Sequence, residues 1–172
     1  MKAKKIVLSG LFVAFGVLLP IIFHQFNMGG PGFLPMHIPV LIAGLFLGAM
    51  PGLLVGLITP ILSSLLTGMP PVFPMLPIMI FELGAYGLIS GLFSDKLKSN
   101  DYISLIVAMI SGRLVAGVVV FVLGTFFGFK GAGPVLFVKG AIVTGLPGII
   151  IQLVFVPPVA KLLRKHVKAE AQ

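Results

Sequence analysis

Long apolar runs alternate along the chain with short breaks rich in glycine, proline or charge. Six runs stand out, at residues 6–23, 38–48, 51–67, 72–93, 102–127 and 135–163. Each is continuous rather than alternating in polarity, which predicts helices and not the strands of a barrel. Most approach the ~20 residues that a membrane-spanning helix needs. The second run falls short, and must tilt or borrow from its flanks to cross. It is separated from the third at Met50-Pro51-Gly52. Small residues recur there at four-residue spacing, Gly44/Gly48 and Gly52/Gly56, so the two short helices are expected to pack back to back. Pro60 should bend the third helix, and Pro74 and Pro77 fall in the first turns of the fourth. The sixth run carries Pro157-Pro158 near its inner end.

The breaks are as informative. Residues 24–35, HQFNMGGPGFLP, hold two prolines and three glycines, which excludes a helix. Their length and aromatics mark a lid rather than a simple connector. Residues 68–71 and 128–134 are further glycine- and proline-rich breaks on the same side. The break at 94–101 carries Lys96 and Lys98 and belongs to the other side.

Composition turns this pattern into a class. The chain is 58% hydrophobic and 9% charged, where a soluble globule would carry about 25% charged residues. The 172 residues fit one domain, an all-α integral membrane protein of six transmembrane helices. The formal charge of +8 would suggest nucleic acid on a soluble chain, but here the basic residues sit at the ends of apolar runs. They therefore read as topology signals and contacts to anionic lipid, and no nucleic-acid partner is expected. Six spans place Lys2, Lys4, Lys5, Lys96, Lys98, Lys161, Arg164, Lys165 and Lys168 on one side, out of 12 Lys and Arg in all. That side is the cytoplasm, so both termini are cytoplasmic. The first run is long enough to span and no small-residue cleavage site follows it, so it is not a signal peptide. No internal repeat of the kind that builds inverted-repeat carriers is visible.

Chemistry is excluded more readily than assigned. There is no cysteine. HExxH, GxSxG and Walker-type phosphate loops are missing, and His24, His37 and His166 share no ligand spacing. An enzyme, a metal site and a bound cofactor are therefore not expected, and the chain has no means of hydrolysing ATP by itself.

Two charges stand where charges are costly. Glu82 lies ten residues into the fourth run and Arg113 about eleven into the fifth. At ~1.5 Å per residue both reach a depth of roughly 15 Å, the middle of a ~30 Å hydrocarbon layer. There a charge costs ~2.5–3.5 kcal/mol even on the insertion scale, so both face inward. Either they pair with one another as a buried clamp, or Arg113 offers its guanidinium fork to a ligand carboxylate or phosphate with Glu82 orienting it. The two readings are compatible. His37, at the outer start of the second helix, is a further candidate beneath the lid, and Asn27 is another on the lid itself. Thr67 ends the third helix beside Ser63 and Ser64, although span hydroxyls commonly bond their own backbone. Tyr86, one turn beyond Glu82, is either a packing aromatic or part of the pocket wall. Lys139 reads as a snorkelling anchor and Gln152 as a bridge between helices.

The whole chain resembles the substrate-binding S components of energy-coupling factor (ECF) vitamin transporters. The resemblance lies in size, in six spans, and in the phrases LPMHIPVLIAGLFLG at 34–48, GLLVG at 52–56, SSLLTGMPP at 63–71 and ELGAYGLISG at 82–91. The phrases holding His37, Thr67, Glu82 and Gly112-Arg113 resemble the pantothenate-like subgroup. The resemblance implies a protein of the prokaryotic plasma membrane that binds a small vitamin from outside beneath its outer loops. It implies partners: a membrane coupling subunit and two ATPase subunits, on which the loaded protein docks before releasing the vitamin inside. The family's docking motif on the first span, usually Ala-xxx-Ala, corresponds to Gly10 and Ala14 here, which keeps both residues small but departs at the first. Ordinary close packing within the chain is the other reading of that pair.

A pantothenate-like ligand, with one carboxylate, hydroxyls and an amide, suits an apolar pocket holding one arginine and a few polar groups. Pyridoxine-like vitamins and pyrimidine precursors suit it nearly as well. Two other classes remain open at this level: a stand-alone secondary carrier or channel, and a structural membrane protein in which Glu82 and Arg113 are only a clamp.

Overall fold

The structure, a computed structural model, describes residues 2–25 and 30–169. It is helical throughout: α1 Lys2–Gln25, α2 Gly30–Phe33, α3 His37–Leu47, α4 Ala49–Thr67, α5 Met75–Gly91, α6 Asp101–Phe126, α7 Pro134–Thr144 and α8 Leu146–Ala169. A π-helical turn, Leu92–Lys96, extends α5 without a break. Among the described residues five helices are long and apolar enough to cross a membrane: α1, α4, α5 with its π turn, α6 and α8. The shorter apolar helices are α3 and α7.

The short α3 is the centre of the molecule. Its 11 residues rise only ~16 Å, about half a hydrocarbon layer. Nine of them are buried, on every face of the helix, because α1, α4, α5 and α8 wall it in. Helix C-terminal carbonyls need partners from outside the helix, and those at the Leu47 end of α3 are satisfied closely. Lys5 Nζ donates to the Leu47 carbonyl at 3.0 Å and Ser94 Oγ to the Leu45 carbonyl at 3.3 Å. Arg164 Nη2 also donates to the Leu45 carbonyl, while its Nη1 is held by Asp101 at 2.9 Å. Two cations at a helix C-terminus also oppose its negative dipole end.

The turn out of α3 lies at Gly48, two residues before the expected break, and Gly48 has φ +101°, open in practice only to glycine. Pro51 then falls in the first turn of α4, where a missing N–H costs nothing. Lipid gives helices no hydrophobic reason to associate, so close backbone approach does the work. A methyl on Gly52 would collide with the Gly87 carbonyl and with the Gly44 backbone, and one on Gly87 would collide with Gly52. The four-residue glycine pattern thus brings α3, α4 and α5 together.

Three expectations need correction. Residues 24–35 are not free of helix, since α2 forms one turn over Gly30–Phe33. The fourth helix starts at Met75 rather than Val72, with Pro74 just outside it. The run at 135–163 is not one helix: it breaks into α7 and α8 at Gly145. Pro147 explains the break. It has no N–H to give the Val143 carbonyl, and its ring crowds that carbonyl, whereas Gly145 N still bonds Ala141 O at 3.0 Å and Ile149 N bonds Gly145 O at 2.9 Å. α7 has no buried residue and packs mainly on α6.

Candidate functional site

Four of the residues singled out in the sequence meet at one place. Glu82 and Tyr86 stand four apart on α5 and so share a face. Arg113 reaches them from α6 and His37 from the first residue of α3. Arg113 Nη1 donates to Glu82 Oε1 at 2.6 Å, and the Tyr86 hydroxyl donates to the same oxygen at 3.0 Å. His37 Nε2 lies 4.0 Å from that oxygen, beyond hydrogen-bond reach, and its ring stands 5.2 Å from the Tyr86 ring. All four side chains are buried; Arg113, the most open, is 8% exposed. Gly112 makes the approach possible, because a methyl there would run into the Tyr86 ring.

The ion pair expected from the depth of Glu82 and Arg113 is therefore formed. It does not use up the guanidinium. Arg113 Nη2 and both ring nitrogens of His37 are buried with no partner among the described residues. Arg113 Nη2 points toward the α7–α8 break: a methyl on Gly145 would stand 3.4 Å from Nη2 and 3.0 Å from Leu34 Cδ1. Leu34 and Met36, at the end of the segment leading into α3, are both buried, and Leu34 thereby reaches the α7–α8 break. The turn before them is seated on α8, since a methyl on Gly148 would strike the Gly32 and Phe33 carbonyls. Phe33 also packs against Phe23 of α1, ring centroids 5.7 Å apart.

Thr67 is not brought to this cluster. It is exposed, and its hydroxyl donates to the Ser63 carbonyl at 2.7 Å and accepts from Met69 N–H at 3.2 Å. Ser63 and Ser64 are likewise occupied, donating to the Met69 and Pro70 carbonyls at 2.7 Å each. Together the three hydroxyls tie down the loop that follows α4. Asn27 lies outside the described residues. Gly10 and Ala14 are exposed on α1, and nothing stands within 4 Å of a methyl placed on Gly10. Sequence reasoning passed over Leu34 and Gly145, and read Gln152 only as a bridge between helices. For the last there was a signal, an amide alone in an apolar run.

Among the described residues the chain thus holds a half-used guanidinium and an imidazole without a hydrogen-bond partner, at the heart of a helical membrane domain. Comparison with known families matches residues 4–160 to the ECF transporter, substrate-specific component. The chain belongs to that family. No curated protein and no solved structure matches it. Like the other S components of ECF transporters it is a multi-pass membrane protein and a substrate-binding subunit rather than an enzyme, with ECF membrane and ATPase components as partners.

Proposed function

We propose that this S component binds pantothenate from outside the cell and delivers it across the plasma membrane of a prokaryote. The observation that carries the reading is the buried Arg113 Nη2, beside Gly145 and without a hydrogen-bond partner among the described residues. Glu82 holds one arm of the guanidinium and so fixes the plane in which the other arm faces a ligand. A guanidinium so held is suited to a carboxylate, the one charged group of pantothenate. His37 and Tyr86 supply polar contact for a hydroxyl or amide, and the apolar walls supply the rest. Asn27 and Thr67 belong to the outer rim through which the vitamin enters, with residues 24–35 as its lid.

In this reading α1, α3, α4, α5, α6 and the α7–α8 unit make six crossings, with both termini cytoplasmic. Gly10 and Ala14 form the surface that docks on the coupling subunit. The open space beside Gly10 among the described residues, and the exposure of Ala14, support this. Two ATPase subunits power the cycle.

The test is direct. Protein purified in detergent from cells grown with pantothenate is extracted and its retained small molecules identified by mass spectrometry. Recovery of pantothenate near one per chain is expected. A different vitamin would correct the substrate, and no retained molecule would count against high-affinity binding altogether.

A further inference from the structure

The inward stripe of α8 continues from Gly145, just before the helix, through Gly148, Gln152, Val156 and Ala160, all buried. Four of these are small or apolar; Gln152 is neither, yet it is 1% exposed. Its Nε2 has no hydrogen-bond partner among the described residues. The bridging role that a glutamine in a span suggests is thus not how this amide N–H is spent. An unpaired polar group costs free energy in any dry interior, and Leu or Met would fill the same space without that cost. A residue kept there at a loss to the resting protein needs another use.

Position supplies one. Gln152 stands two turns from Gly145 on the same face of α8, about 10 Å along the axis. Gly145 is where Arg113 Nη2 comes to the helix. α8 packs on α3, whose first residue is His37. One face of α8 therefore leads from an unpartnered guanidinium nitrogen to an unpartnered amide nitrogen. Arg113 suits an anion, whereas a carboxamide N–H suits a neutral acceptor.

We infer that Gln152 is a specificity-determining residue of the vitamin site: its Nε2–H donates to a neutral oxygen, carbonyl or hydroxyl, of an elongated ligand whose carboxylate Arg113 takes. This rests on the reading of the chain as a vitamin-binding subunit. It adds the class of ligand: an anionic end and a neutral hydrogen-bonding end, separated by roughly the two helical turns between the residues.

The test uses full-length protein in detergent, stripped of vitamin, as wild type, Gln152→Met and Gln152→Leu. Thermal unfolding is measured first, then pantothenate affinity by calorimetry. Both variants should melt no lower than wild type, since each removes a buried group without a partner. Both should bind pantothenate roughly tenfold more weakly, the worth of one lost hydrogen bond. Variants that melt several degrees lower overturn the inference whatever binding does, because Gln152 would then be holding helices together. Unchanged affinity at unchanged melting also overturns it. Should wild type itself not bind pantothenate, the vitamin assignment fails, and the proposed donation from Gln152 to that ligand is overturned with it.

Discussion

In the proposed function Arg113 holds both Glu82 and a ligand, and the two roles separate in a double substitution. Arg113→Met leaves the Glu82 carboxylate buried, with the Tyr86 hydroxyl as its remaining hydrogen-bond donor. Breaking a buried ion pair from one side costs about 3–5 kcal/mol. Desolvation of both partners, at 10% and 5% side-chain exposure, argues for the upper part of that range. Adding Glu82→Gln removes the stranded charge and keeps an acceptor for Tyr86, so most of the loss should return, with the double variant within about 1–2 kcal/mol of wild type. Pantothenate binding should not return, because the anion's partner is still missing. A charge-assisted hydrogen bond of about 1.5–3 kcal/mol corresponds to about 10- to 150-fold in Kd. The assay is denaturant or thermal unfolding in detergent for all four corners of the cycle, with labelled pantothenate binding measured on the same samples. A double variant that binds as tightly as wild type would refute the ligand role of Arg113. A single Arg113→Met variant as stable as wild type would refute the buried pair itself.

The remaining expectations concern the frame and the partners. Gly87→Val should disrupt the α4–α5 contact, at a cost of about 3 kcal/mol or more, read as loss of a monodisperse peak in gel filtration. Gly10→Trp should leave vitamin binding intact, because no described residue stands within 4 Å of a methyl placed there, while ATP-driven uptake in cells holding the coupling module fails. Arg164→Gln removes the bond to Asp101 and weakens the hold on the Leu45 carbonyl, and should lower stability by about 1–3 kcal/mol, seen as a lower thermal midpoint.

Much of the frame was legible because helix and bilayer geometry are simple rulers. Counting residues from the ends of two runs put Glu82 and Arg113 at one depth, and they meet. Tyr86 followed from its four-residue step. His37 did not follow from any count: its place beside Glu82 depends on how α3 leans on α5, which glycine contacts decide. Thr67 shows the limit from the other side, since its hydroxyl can turn to the pocket or to its own helix, and the local carbonyl of Ser63 wins. The bend at Gly145 was visible in Pro147 but masked by unbroken hydrophobicity on both sides. Hydropathy reports what a helix is made of, not whether its hydrogen bonds continue.

One consequence concerns α3. By composition it is the helix best suited to lipid, yet protein surrounds it on nearly every side. A photoactivated carbene carried by the acyl chains of the membrane should mark α1, α6 and α8, whose outer faces bear Leu11, Phe121 and Phe155, and pass over 37–47. To the bilayer, its most hydrophobic helix is invisible.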